Sequence, residues 1–173
     1  MKFAAVLLCG IALVAASVSP RVSRDNVATL ERLTDGKVVQ VDATTPGDVL
    51  GYTRGVYLEG YGAVFSAEVD LNPYAAVNPF RPKYTAAQVD NLRTQKQVRI
   101  GVLKKRMVES MVVIAQNLEG VPASERIALA VTIPYFPWEK SEGMPRQILI
   151  QAQKSALLNA GTLNDAALKV QEF

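Results

Sequence analysis

Residues 55–71 read GVYLEGYGAVFSAEVDL, and this stretch decides the fold. If Gly60 and Tyr61 form a two-residue loop, Gly60 occupies the first central position of a type II′ turn, where glycine is favoured. The two flanking runs then pair in antiparallel fashion, with Val56 opposite Phe65. One face of this predicted hairpin collects the apolar side chains Val56, Leu58, Ala63, Phe65, Ala67, Val69 and Leu71. A single long strand with a glycine bulge is the alternative interpretation.

The other face of the predicted hairpin is polar and carries Tyr57, Glu59, Glu68 and Asp70. Paired carboxylates can perform general acid and base chemistry, as they do in glycosidases. The predicted register, however, leaves Glu59 beside the turn and Glu68 well along the partner strand. We therefore expect a solvated sheet face at this position rather than a catalytic pair.

A long helix is predicted over residues 85–118, because Thr85 and Gln88 have the spacing of a capping box. At 100° per residue its apolar side chains fall on one side. They are Val89, Leu92, Ile100, Leu103, Met107, Met111, Ile114 and Leu118. Lys96 falls on that same side. The second half of the helix is apolar around most of its circumference, so we expect it to be buried on more than one side.

A second hairpin is predicted from a strand over residues 126–135 and a return strand over residues 146–152. Shorter elements complete the pattern: a helix opening at Asp25 or Asn26 and ending at Gly36, a strand over 37–42, a helical turn over 155–160, and a last helix opening at Thr162. A long helix lying across one face of an antiparallel sheet buries both apolar faces. The sequence therefore predicts an α+β domain: two hairpins and a short strand against one long helix, with short helices at both ends.

Residues 1–19 have the pattern of a cleavable signal peptide. Lys2 precedes an uncharged apolar run over residues 3–16, and small residues follow. This run is shorter than the roughly 20 residues that a permanent transmembrane helix needs. We expect cleavage after Ser17 or Ser19 and a mature protein that is secreted or periplasmic.

Residues 20–173 are predicted to form a single domain, long enough to bury a core without disulfides. A retained membrane anchor is the alternative for the apolar run. A lipoprotein site at Cys9 is disfavoured, because the bulky Leu8 precedes it. Since Cys9 is the only cysteine, the predicted mature chain has no thiol.

The composition excludes several chemistries. The chain contains no histidine, and its single cysteine lies in the predicted signal segment. Zinc sites of the histidine and cysteine kind and catalytic triads that depend on histidine are therefore excluded. No phosphate-binding glycine motif follows a predicted strand. We expect no cofactor, no metal and no catalytic residue, and the balance favours a protein that is not an enzyme.

The segment 81–106 is strongly basic, with eight cationic residues against Asp90 alone. Arg93, Lys96 and Lys104 group together on the helical wheel and form a candidate patch for an anionic partner. A solvated helix face balanced by acidic residues of the sheet is the alternative. Few aromatic residues interleave with these cations, so nucleic acid is not a favoured partner.

We name residues 135–146 the aromatic loop, since the stretch contains three aromatic side chains and the only tryptophan. Rigid loops with aromatic and charged residues are common recognition elements. The candidate binding residues are Tyr135, Phe136, Trp138, Glu139 and Arg146. The alternative is structural: Glu139 and Arg146 form a pair that closes the hairpin, and Trp138 covers the core.

Two stretches, GVYLEGYGAVF at 55–65 and PWEKSEGMPRQI at 137–148, resemble uncharacterised exported bacterial proteins. This resemblance implies an extracytoplasmic location and no particular activity. Together these observations favour a non-enzymatic extracytoplasmic binding or protein-interaction domain. Its expected contact regions are the aromatic loop and the apolar half of the helix 85–118, through which self-association is a variant. The alternatives are a carboxylate-based hydrolase of cell-envelope polymers and binding to anionic surfaces through the segment 81–106.

Overall fold

The computed structural model describes residues 22–75, 84–159 and 167–173. The predicted signal segment 1–19 and the predicted helix that opens at Thr162 lie outside these residues. The elements in chain order are α1 (Arg24–Val38), β1 (Asp48–Val49), β2 (Arg54–Leu58), β3 (Gly62–Asp70), α2 (Ala86–Asn117), β4 (Arg126–Thr132), β5 (Gln147–Gln153), α3 (Lys154–Leu158) and β6 (Lys169–Glu172).

The six strands form one sheet in which β1 and β2 both pair with β3, followed by β4, β5 and β6. The helices α1 and α2 pack together over the sheet, and the predicted α+β class is confirmed. The sheet is mixed rather than wholly antiparallel, because β3 and β4 run parallel. The long helix explains this difference: α2 returns the chain to the end of the sheet where β3 began, so β4 starts beside the start of β3.

The first hairpin is present, but its predicted register is wrong by one residue. Leu58 pairs with Gly62, so the loop has three residues rather than two. The Tyr61 amide donates to the Leu58 carbonyl at 3.0 Å and closes a turn over residues 58–61. Gly60 is the third residue of this turn and has φ +79°. Gly62 is also irreplaceable, because a Cβ there would lie 1.9 Å from the Arg126 carbonyl oxygen. The parallel contact with β4 therefore requires glycine at the first residue of β3.

The register shift exchanges the two faces of β2, as a one-residue slip must. The prediction for β3 is confirmed, since its alternate residues from Ala63 to Val69 are buried. Val56 and Leu58 instead lie on the face opposite α1 and α2 and are 51% and 47% exposed. Gly55 takes their place on the covered face, where its lack of a side chain admits the ring of Phe65.

The strand predicted over residues 37–42 is wrong, because α1 continues through Gly36 to Val38. Val38 in the last turn of the helix and Val41 in the bend after it are buried, and Val39 is half-buried. The short strand of the sheet is instead β1. The helix is capped by the Ser23 side chain, which accepts from the Asp25 amide at 3.2 Å.

The long helix α2 begins and ends close to its predicted limits. Thr85 and Gln88 form the predicted capping box. The inward side chains from Ile100 to Ile114 are buried under α1 and against β4 and β5. The valines on the flanks of the second half, Val102, Val108, Val112 and Val113, are half-buried.

Side chains of α1 close the outer edge of β2. Glu31 accepts a hydrogen bond from the Gly55 amide at 2.8 Å, and Arg24 donates to the Gly55 carbonyl at 3.2 Å. Burial works to raise the pKa of Glu31, but its hydrogen bonds from Arg24 and Gly55 outweigh that effect and lower it. Two residues before Gly55, the Thr53 amide donates to the Asp35 carboxylate at 2.9 Å. These carboxylates stand where another strand would otherwise pair.

The observed register predicts opposite effects of alanine at two glycines. A Cβ at Gly55 would lie 2.6 Å from the Phe65 ring and 2.7 Å from a Val27 methyl. We expect Gly55→Ala to lower the free energy of unfolding by about 1–3 kcal/mol through overpacking. Gly101 lies exposed inside α2 with open space around it, so Gly101→Ala should raise that energy by about 1 kcal/mol. Urea unfolding measures the free energy of unfolding of both variants. An unchanged free energy in Gly55→Ala would contradict the observed register.

Candidate functional site

The aromatic loop joins β4 to β5 and is closed at both ends by backbone contacts. The Ile133 amide donates to the Arg146 carbonyl at 2.8 Å, which continues the pairing of the two strands. Above this contact the Tyr135 hydroxyl donates to the Pro145 carbonyl at 2.9 Å. These two hydrogen bonds therefore hold the two ends of the loop together.

A buried ion pair fastens the aromatic loop to α2. The Nζ atom of Lys96 lies 2.8 Å and 3.0 Å from the two carboxylate oxygens of Glu139. Their side chains are only 1% and 5% exposed. Lys96 also donates to the Pro134 carbonyl at 2.9 Å, and its ammonium lies 4.2 Å from the centre of the Tyr135 ring. Carboxylate, carbonyl and ring together replace the water that this ammonium loses on burial.

Glu139 also organises the loop itself. Its Oε2 atom accepts from the Phe136 amide at 3.0 Å, and its own amide donates to the Phe136 carbonyl at 3.0 Å. The predicted alternative partner, Arg146, is not the partner of this carboxylate. The Arg146 guanidinium instead lies 5.4 Å from the centre of the Tyr135 ring and donates to the Ser141 hydroxyl at 3.4 Å.

Tyr135 is locked in its neutral form by this arrangement. Burial, with a further contribution from the negative charge of Glu139, raises the pKa of Tyr135 to about 12. The hydroxyl is already committed to the Pro145 carbonyl. Tyr135 is thus a positioning residue of the loop rather than an acid or a base at neutral pH.

The other two aromatic residues of the loop stack on each other. The ring centres of Phe136 and Trp138 lie 5.6 Å apart and their planes differ by only 7°. Tyr84 extends the cluster, with its ring centre 4.7 Å from that of Trp138. Phe136 is exposed, and the other two rings are half-buried. Sequence reasoning missed Tyr84, although it directly precedes the capping residue Thr85.

The predicted anion-binding patch is divided by the structure. Lys96 is buried in its ion pair, and Arg93, one turn away, donates to the Glu142 carboxylate at 3.3 Å and to its carbonyl at 2.6 Å. Lys104 lies elsewhere and contacts Glu172 of β6 at 2.5 Å. Each of the three cations therefore has a carboxylate partner, but only the pair of Lys96 is buried, while the pairs of Arg93 and Lys104 are open to solvent.

The polar face of the first hairpin separates its carboxylates. Glu59 lies in the turn, while Glu68 is six residues beyond the first paired residue of β3. That separation is about 20 Å, since a strand rises about 3.3 Å per residue. Asp48 and Asp70 are cross-strand partners, but the buried Asp70 is occupied by the Asn72 amide at 2.8 Å. Among residues 22–75, 84–159 and 167–173, no cluster of three acidic residues could hold a metal ion.

A groove of about 450 Å³ lies between α2 and the chain that follows α1. Its lining residues are Val41, Asp42, Thr44, Thr45, Thr94, Gln95, Val98 and Arg99. Arg99 is saturated within the fold, because it donates to the Asn72 side chain at 2.8 Å and to the Thr45 hydroxyl. Hydrogen bonds from the Thr44 amide and hydroxyl lower the pKa of Asp42 to about 2. The groove is polar, but its charges are used internally.

No protein-family model, no curated protein and no solved structure matches this chain. No helix within the described part of the chain is long and apolar enough to cross a membrane.

The buried ion pair predicts strong coupling between Lys96 and Glu139. Lys96→Met and Glu139→Gln should each lower the free energy of unfolding by about 3–5 kcal/mol, because each leaves an uncompensated buried group. The double variant should lose much less than the sum of the two. Glu109→Gln is the matched control, since it breaks the exposed pair with Arg106 and should change this energy by less than about 1 kcal/mol.

Urea unfolding followed by the fluorescence of Trp138, the only tryptophan, measures all four proteins. Losses at Lys96 and Glu139 that are no larger than the loss at Glu109 would contradict the structural role of the pair.

Proposed function

We propose that this chain is a non-enzymatic binding domain that contacts a partner protein through the aromatic loop. The observation that carries the proposal is the exposed Phe136 ring, stacked on Trp138, on a loop whose backbone is fixed by the buried carboxylate of Glu139. An aromatic pair held in this way offers contact area with little conformational entropy left to lose.

Preorganisation matters for affinity because each mobile side chain that is ordered on binding costs about 0.5–1.5 kcal/mol. The ion pair to Lys96 has already ordered this loop in the free protein. Aromatic residues are also enriched among the few interface positions that dominate binding energy. Two ion pairs at the surface join α2 to the same loop and can supply the polar rim of an interface: Asp90 with Lys140, and Arg93 with Glu142.

The location outside the cytoplasm is part of the proposal. It is supported by the charged start, the apolar run and the small residues of the segment 1–19. A binding role is supported by the chemistry of the loop, whose buried carboxylate is neutralised by Lys96 and whose buried phenol is held neutral. These groups position the loop and leave the rings to make contact.

Site-specific photo-crosslinking tests the proposal in the cells that produce the protein. A photoreactive phenylalanine analogue replaces Phe136 in one variant and Tyr52 in the control. Tyr52 is 72% exposed and lies outside the aromatic loop. We expect a discrete crosslinked adduct of defined mass from position 136 and none from position 52.

Two further outcomes decide the interpretation. Trp138→Ala added to the position 136 variant should abolish the adduct while the protein remains folded by circular dichroism. The partner recovered from the adduct and purified should then change the Trp138 fluorescence of the wild-type protein. Identical adducts from both positions, or an adduct that survives Trp138→Ala, would show that the aromatic loop is not the contact surface.

A further inference from the structure

The two outer edges of the sheet are treated differently by the fold. At β2, the backbone groups of Gly55 are occupied by Glu31 and Arg24, and the Thr53 amide is occupied by Asp35. Such charged caps prevent an exposed strand from pairing with another chain. The opposite edge is β6, and the described residues provide no corresponding cap there.

The hydrogen-bond pattern of β6 shows which of its groups face outward. Phe173 and Gln147 exchange both backbone hydrogen bonds, at 3.0 Å and 3.2 Å. Bonded pairs alternate along an antiparallel ladder, so Gln171 is bonded to β5 and Val170 and Glu172 are not. The backbone groups of Val170 and Glu172 therefore point away from the sheet, and no residue in the described ranges bonds to them.

The side chains along this edge are suited to an interface. Val170 is β-branched and 45% exposed. Glu172, its neighbour along the helix-covered face, is already neutralised by Lys104 of α2 at 2.5 Å. A strand added here would therefore meet the outward backbone groups of Val170 and Glu172, the apolar side chain of Val170, and a carboxylate already paired with Lys104.

We propose that this edge pairs with the same edge of a second copy of the chain, antiparallel and about a two-fold axis through Val170. Residues that lie directly opposite each other in antiparallel strands point to the same face of the sheet, and side chains alternate between faces along each strand. A two-fold axis perpendicular to the sheet keeps the same face of both copies upward. The numbers of two paired residues must therefore sum to an even value. Centring on Val170 satisfies this condition and joins two outward-facing residues in a bonded pair.

The second copy is favoured as the occupant because the edge is complementary to itself in this register. Val170 packs against Val170 of the other copy, a β-branched pair of the kind that stabilises sheets. Lys169 lies opposite Gln171, and Glu172 lies opposite Leu168, so no like charges stand directly opposite each other. Pairing centred on Glu172 would instead place two carboxylates together.

This inference does not rest on the binding role proposed for the aromatic loop, although the Arg146 amide at the end of that loop donates to the Phe173 carbonyl at 2.6 Å. Sedimentation velocity of the purified protein over a wide concentration range measures the association. We expect a monomer–dimer equilibrium in the wild-type protein. Val170→Pro should raise the dissociation constant at least about tenfold, since it removes both hydrogen bonds on the axis.

The choice of position separates association from folding. The Val170 amide faces outward, so proline there should leave the midpoint of thermal unfolding of the monomer nearly unchanged. Gln171→Pro removes a ladder bond to β5 and should lower that midpoint clearly. Val170→Thr keeps the amide and the branched shape and should retain the dimer.

A wild-type protein that stays monomeric at all concentrations would overturn the proposal. A dimer that forms equally well with proline at position 170 would also overturn it, because association would then use another surface.

Discussion

The ion pair between Lys96 and Glu139 is the interaction on which the aromatic loop and its contact with α2 depend. An ammonium ion that is almost fully buried must be satisfied completely, because an unpaired buried charge is strongly unfavourable. Lys96 meets this requirement only when Glu139, the Pro134 carbonyl and the Tyr135 ring are all in place. The charge on α2 thereby dictates the conformation of a loop more than forty positions away.

The same constraint accounts for the aromatic cluster. With its carboxylate held by α2, Glu139 accepts the Phe136 amide and closes a single turn of chain. That turn brings Phe136 and Trp138 into parallel stacking and places Trp138 beside Tyr84 at the start of α2. A buried charge thus supports an exposed hydrophobic surface, and the surface is ordered before any partner arrives. This order is the physical basis of the proposed binding role.

Local signals in the sequence were sufficient for α2 and its capping box, because the pattern of apolar residues and the Thr85–Gln88 spacing admit one solution. Lys96 was visible as a cation on the apolar side, but its partner was not, since Glu139 is distant in sequence. The register of β2 could not be predicted, because Val56 and Leu58 fit the core as well as Gly55 does. In the observed register Gly55 lies against the Phe65 ring and a Val27 methyl of α1, and these contacts across the fold are not visible in the local pattern.

Native-state hydrogen exchange tests the central claim most directly. The Phe136 amide faces the buried Glu139 carboxylate, and the Ile133 amide continues the pairing of the strands. If the ion pair orders the aromatic loop, the amides of Phe136 and Glu139 should be protected from exchange. Their free energies of opening should be nearly as large as that of the Ile133 amide. Exchange of both loop amides at the rate of an unstructured peptide, while Ile133 stays protected, would contradict the account.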